Sequence, residues 1–332
     1  MSAAATLLSG WRRLARLRML LILALLAIAA SVLTEGKFAR PENMVNVLRQ
    51  VSLEGLIAFG MTLVIVTGGI DLSVGSMAAL SGVFAALVLR QTAGWPPVAA
   101  IGAATCCGVG LGAAVGACCG AIITRFAIPA FIVTLSAMLM ARGFAFILCD
   151  GQPIHDLPES LSWLGRGFVL ENWLGPRLPV TVLILLFAWG AFSLLFERTV
   201  FGRGVVAVGS NEEAARLAGI PVGRIKVCVY LISGALAGLA GVLHDAKLMA
   251  GDPKVADMWE LNVIAAVVVG GASLYGGRGS MTGTLIGALI IGMLNNGLNL
   301  MQVEHFWQKV VLGAVILAAS LADGGLRRLE AR

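Results

Sequence analysis

An all-α fold of the polytopic integral membrane kind follows from three observations. The 332 residues are 58% hydrophobic and 13% charged, with a mean hydropathy of +0.91, so apolar side chains outnumber the interior sites of a soluble domain. Apolar runs of about 20 residues, the length that crosses about 30 Å of hydrocarbon, occupy nearly the whole chain. The 42 glycines suit helices whose backbones approach closely in lipid. A single transmembrane domain over residues 1–332 is therefore expected. The net charge of +6 reads as membrane topology and gives no support to nucleic-acid binding.

Taken in order, the spans fall at about 15–33, 51–67, 73–89, 98–123, 129–149, 179–196, 226–243, 260–272, 279–300 and 306–323, about ten in all. The first follows Arg12, Arg13, Arg16 and Arg18; with no small-x-small cleavage site before Glu35, it reads as a retained span. With the N-terminus inside, the inner face holds fourteen of the twenty-four basic residues and the outer face nine, with Arg142 inside a span. That bias has the expected sign, and an even span count returns the C-terminus to the cytoplasm.

The fourth span repeats glycine at every fourth position, Gly108, Gly112, Gly116 and Gly120, which predicts a smooth face for close helix contact. Gly234 and Gly238, and then Gly279, Gly283 and Gly287, repeat the device. The cysteines, Cys106, Cys107, Cys118, Cys119, Cys149 and Cys228, sit in or beside apolar runs with no histidine or carboxylate near the paired ones, so they read as packing residues and no metal site is expected.

Two related motifs interrupt spans, VIVTGGIDLSVGS at 64–76 and VVVGGASLYGGRGS at 267–280, offset by about 200 residues. Paired glycines unwind a helix, and irregular backbone at membrane depth is tolerated where protein or a water-filled path satisfies it. Gly68 and Gly69, with Asp71, Ser73 and Ser76 beyond them, are therefore candidate path residues. Asp71, the one acid between Gly55 and Leu89, has an alternative role as cap of a helix starting near Leu72. Arg142 lies thirteen residues after Pro129, about 20 Å along its helix; it either snorkels to the outer interface, or faces the path or pairs with a carboxylate. Asn295, Asn296 and Asn299 suit sugar contacts by type, and equally suit helix–helix hydrogen bonding.

On the outer side, a long loop over 150–178 carries Asp150, Asp156, Glu159 and Glu171 with Trp163 and Trp173, and a second over 244–260 carries Asp245, Asp252, Asp257 and Glu260. His155, His244 and His305 are expected as isolated loop residues. No cluster of histidines, cysteines or carboxylates suggests catalysis.

The inner loop at 197–226 is longer than a connection needs. Ser210 followed by Glu213 predicts a capping box. Glu212 and Glu213 in the first turn and Arg216 further along suit the helix dipole, and Gly219 and Pro221 stop the helix. A stiff two-turn helix outside the membrane, with a small Ala214–Ala215 face, is expected as a docking element. No G-x-x-x-x-G-K-[ST] loop occurs anywhere in the chain, and several intramembrane carboxylates, as a proton-coupled carrier carries, are not expected.

GMTLVIVTGGIDLSVGSMAALSG (60–82), IPAFIVTLSAMLMARG (128–143), GRGVVAVGSNEEAARLAGIPV (202–222) and VVVGGASLYGGRGSMTGTLIGALIIGMLNNGL (267–298) together resemble the permease subunits of bacterial ABC importers for monosaccharides of the ribose, xylose, arabinose and galactofuranose type. The resemblance runs from about Asn43 to Leu321; the glycine- and cysteine-rich fourth span departs from it. It implies a multi-pass permease of the bacterial inner membrane, paired as a homodimer or with a sister permease, that passes a monosaccharide and contacts membrane lipid. A periplasmic sugar-binding protein would deliver the sugar, and ATP would be bound by a cytoplasmic ABC ATPase subunit, no cofactor being held in this chain. The ATPase would engage Gly209, Asn211, Glu212, Glu213, Ala214, Ala215, Gly219 and Ile220. The competing reading is a secondary carrier or facilitator, which gives that loop no role.

Overall fold

The apolar periodicity produces a helical bundle in the computed structural model, which describes residues 19–169 and 178–330. The helices are α1 (Met19–Leu33), α2 (Pro41–Val66), α3 (Val74–Gln91), α4 (Pro97–Phe126), α5 (Ala130–Leu148), α6 (Ser162–Arg166), α7 (Val180–Arg198), α8 (Val200–Ser210), α9 (Glu212–Leu217), α10 (Val222–Leu248), α11 (Trp259–Val269), α12 (Met281–Leu300) and α13 (His305–Glu330). Two-residue strands, β1 (Phe168–Val169) and β2 (Leu178–Pro179), pair antiparallel in the long loop. Glu171 and Trp173, like Arg12, Arg13, Arg16 and Arg18, lie outside the described residues.

Each of the ten expected spans carries a helix, and seven described helices are long and apolar enough to cross a membrane. Boundaries differ where polar residues enter helices. α2 starts at Pro41 and α10 runs from Val222 to Leu248. The 11 residues of α11 rise about 16 Å, roughly half a bilayer core.

The glycine faces meet one another. Side chains at Gly112 and Gly116 would strike the carbonyls of Gly234 and Tyr230, and one at Gly234 the carbonyl of Gly112. α4 and α10 thus touch backbone to backbone. Gly283 and Gly287 of α12 lie in the same way on Gly270 and Ala266 of α11. In lipid, where water does not drive association, such contact supplies much of the helix–helix attraction.

Three helices end identically. In α2, Gly68 (φ +79) follows Thr67, with Gly68 N donating to Ile65 O and Gly69 N to Val64 O. In α11, Gly271 (φ +86) does the same through Val268 O and Val267 O, and in α9, Gly219 (φ +79) through Arg216 O and Ala215 O. Each is a Schellman stop, in which a left-handed glycine lets two terminal carbonyls find donors. The two interrupted motifs are thus equivalent breaks, offset by 203 residues, Gly68 to Gly271.

Candidate functional site

The site builds from these breaks. After Gly69 the chain stays irregular to Ser73, and α3 begins at Val74, so Asp71 does not cap a helix at Leu72. Its Oδ1 accepts from the Ser73 amide (3.0 Å) and hydroxyl (2.6 Å), and its Oδ2 accepts from Ser233 Oγ (2.8 Å). Ser233 lies eleven residues into α10, about 16 Å along it, so the buried carboxylate ties the break to the body of that span. Thr134 of α5 adds a hydrogen bond to Ile70 O at 3.1 Å.

From the opposite end, residues 249–258 fold inward and do not form a solvated loop. Arg142 Nη1 donates to Pro253 O (2.7 Å) and Val255 O (2.8 Å). Arg142 therefore braces the backbone of this loop, and it forms no ion pair among the described residues. The loop contains left-handed Met249, Ala256 and Met258, a backbone state that is costly without glycine and persists only where the surroundings enforce it. Ile154 pairs with Gly251 through two 2.9 Å bonds and holds its outer edge. The N-terminal turns of α3 and α11 meet where the loop ends: a side chain at Gly75 would lie 2.5 Å from Ala256 O and 2.5 Å from Glu260 Oε2. The Glu260 carboxylate thus lies beside the positive ends of two helix dipoles.

The polar loop at 197–226 holds two helices. α8 is capped by Thr199, which accepts from Gly202 N, and ends at Ser210, whose hydroxyl donates back to Val206 O at 2.8 Å. Ser210 therefore forms no capping box. Asn211 caps α9, its Oδ1 accepting from Ala214 N at 2.9 Å. Glu212 accepts from Lys226 Nζ (2.6 Å) and Arg216 Nη2 (3.3 Å), which ties α9 to α10. Ala215 is buried at 4% exposure and faces the bundle, whereas Leu217 is 85% exposed. The outward face is hence Glu213, Ala214 and Leu217, and the expected Ala214–Ala215 pair is split.

α8 also reaches both breaks. A Cβ at Gly209 would overlap the Val66 carbonyl and lie 2.7 Å from Gly277 N, and Gly277 N donates to that same Val66 carbonyl at 2.8 Å. Between the first break and α9 lies a cavity of about 320 Å³, lined among others by Gly68, Gly69, Glu212, Lys226 and Tyr230. The Tyr230 hydroxyl is buried beside Gly69 with no hydrogen-bond partner among the described residues.

Permease components described as "Branched-chain amino acid transport system / permease component" form a family whose pattern matches residues 43–320, a stretch holding both breaks, the inbound loop and α9. The chain belongs to this permease family. It is 44% identical over 301 residues to the ribose import permease protein RbsC of Bacillus subtilis (strain 168), covering 90% of this chain and 89% of that one. It is 42% identical over 309 residues to RbsC of Escherichia coli (strain K12), covering 91% and 92%. An L-arabinose ABC transporter permease protein, AraH of Azospirillum brasilense, is 40% identical over 299 residues, covering 90% and 85%. No solved structure matches the chain. The protein is thus a multi-pass transport subunit of the bacterial inner membrane.

In this permease, Asp71, Ser73 and Ser76 are buried, whereas Gly68 is exposed and Gly69 and Asn295 are half-buried. Asn296 exchanges two hydrogen bonds with Asn43 of α2 (2.8 and 3.0 Å), and Asn299 accepts from Gln308 Nε2 at 2.8 Å. Those two act as ties between elements. Sequence reasoning misplaced His244 and Asp245, which belong to α10, and Glu260, in the first turn of α11. His244 packs edge-on to Trp259, and His305 opens α13. Buried intramembrane carboxylates, unexpected beyond Asp71, number at least two more: Glu54, held by Gln50 and Asn262, and Asp245. Gly82 and Gly251 give Asp245 its room, and those glycines were the available signal.

Proposed function

We propose that this permease is the membrane subunit of an ATP-driven importer for a monosaccharide of the pentose or furanose type. A periplasmic binding protein delivers the sugar to the side bearing the 150–178 loop, and a separate cytoplasmic ATPase binds and hydrolyses ATP and docks on α9. Two copies, or one copy and a sister permease, enclose the path. Both termini are cytoplasmic, in keeping with the basic-residue bias. The sugars for which the relatives are named, ribose and L-arabinose, support the substrate class, and the lack of a phosphate loop supports an external motor.

One observation carries the mechanism: Gly209, three residues before α9, sits against Val66 O and Gly277 N, where both broken spans turn. A push on the exposed Glu213, Ala214 and Leu217 is transmitted by the ties of Asn211 and Glu212 and by the tight stop at Gly219 and Ile220 to these two hinges. Rigid-body rocking of packed helices is a recurrent way to switch access. Gly68, Gly69 and Asn295 line the path; Asp71, Ser73 and Ser76 fix its shape; Arg142 holds the inbound loop, and Asn296 holds α12 to α2.

Buried Glu54, Asp71 and Asp245 give a proton-coupled carrier some support, because intramembrane carboxylates are costly and often functional. The test is uptake of labelled ribose and arabinose by proteoliposomes holding the permease, its ATPase and its binding protein. ATP-dependent accumulation that disappears in Leu217→Asp supports the importer. Accumulation driven by a pH gradient with the permease alone overturns it.

A further inference from the structure

A second concavity, about 600 Å³ in volume, lies between α8 and α10. Its walls are Val200 and Ala207 on α8 and Ile225 and Cys228 on α10, and Arg203 and Arg224 line it with them. Among the described residues no carboxylate lines it. Both arginines are exposed, and neither guanidinium makes a hydrogen bond or ion pair among the described residues. Two unpaired cations beside an otherwise apolar slot favour a ligand that is anionic at one end and apolar over the rest.

The direction of the slot narrows the ligand further. Arg224, Cys228 and Leu231 are successive exposed positions on α10, spaced four and then three residues apart, about one helix turn each. The slot therefore leaves the charged level and follows the span by about 6 Å from Arg224 to Cys228 alone. A water-soluble protein partner engages the exposed tip of α9 without entering the apolar length of a span, whereas an acyl chain lies along it. Val200, at 77% exposure, extends the apolar surface at the mouth. Basic pockets between spans on the cytoplasmic side are suited to anionic headgroups.

We propose that this groove is a binding site for an anionic phospholipid, with Arg203 and Arg224 on the phosphate and one acyl chain along Ile225 and Cys228. The floor also includes Gly219 and Ile220, the stop of α9, so a seated lipid braces the docking helix from behind. That regulatory consequence rests on the function proposed above; lipid binding itself does not.

The experiment is native mass spectrometry of the purified full-length permease equilibrated with dioleoyl phosphatidylglycerol or dioleoyl phosphatidylcholine. Wild type is expected to retain phosphatidylglycerol selectively. Arg203→Gln/Arg224→Gln should lower that retention about tenfold, while Arg203→Lys/Arg224→Lys keeps most of it. Cys228→Trp, which fills the slot and leaves both arginines, should also lower it; monodispersity on gel filtration reports folding for every variant. Equal retention of the two lipids, or retention unchanged in both the Gln pair and Cys228→Trp, overturns the site. Loss of ATPase association in the Gln pair with unchanged phosphatidylglycerol retention overturns it in favour of a protein partner. Selective retention together with ATP-independent uptake keeps the lipid site and removes the importer reading.

Discussion

Gly209 rests on the carbonyl oxygen of Val66 so closely that a single methyl group in place of its hydrogen would overlap that oxygen. The contact joins the end of α8 to the last turn of α2, and Gly277 N donates to the same oxygen. Inserting a side chain must separate all three. Overpacking of this kind costs about 1–3 kcal/mol, or more against backbone. Gly209→Ala is expected to insert in the membrane and to lose at least about tenfold in ATP-driven uptake. Gly223→Ala, whose methyl meets only Thr124 Cβ at 3.9 Å, should transport normally. Equal uptake by the two variants would disconnect α8 from the hinge.

Asp71 accepts from three donors on two elements. Asp71→Asn keeps the shape, but its amide nitrogen cannot accept from one of them. Leaving a buried donor unpaired costs about 1–3 kcal/mol. The variant should assemble, with a lower thermal midpoint in detergent and uptake largely lost. Ser233→Ala should lose less than Asp71→Asn, and the double variant should fall short of the sum, because the two share one interaction. Additive losses would mean that Asp71 does not act through Ser233.

Much of this was legible in local pattern, because the physics there is local. Thr67-Gly-Gly and Gly270-Gly-Ala announce a left-handed stop because glycine takes positive φ without strain, and a glycine at every fourth residue can only be one face of a helix. Near α9 the pattern was ambiguous: Ser210 and Asn211 are comparable caps, and Ser210 is taken by its back-bond to Val206 O in α8. The depth of residues 249–258 was hidden altogether. Their charges read as a solvated loop, and what draws them inward is Arg142, 111 residues away in sequence from Pro253. Asp245 escaped for the same reason, since Gly82 on another helix makes its pocket.

Arg142 provides the test of that loop. Its one nitrogen serves Pro253 O and Val255 O, and hydrogen bonds to a charged group are worth about 1.5–3 kcal/mol each. Arg142→Ala should raise amide hydrogen exchange in residues 249–258 while leaving α9 unchanged, and should reduce uptake. Arg142→Lys should recover it only in part, because an ammonium lacks the planar fork. Unaltered exchange in Arg142→Ala would show that Ile154 and Gly251 hold the loop without it.

Asn296 separates a sugar contact from a structural tie. Its amide and that of Asn43 each donate to the other's oxygen, joining α12 to α2. Interhelical hydrogen bonds in membranes are worth about 0.6–1.7 kcal/mol, so Asn296→Ala should lower thermal stability modestly and leave the KM for sugar uptake unchanged. The second substitution, in Asn43→Ala/Asn296→Ala, should cost more only through the separate bond of Asn43 Nδ2 to Phe38 O (2.9 Å), because the shared pair is already gone. A sugar-binding asparagine behaves otherwise: its loss raises KM whether or not Asn43 is present, because a sugar hydroxyl and not a neighbouring amide is left without its partner. A several-fold rise in KM in Asn296→Ala, unchanged by the second substitution, would therefore move Asn296 from the scaffold into the path.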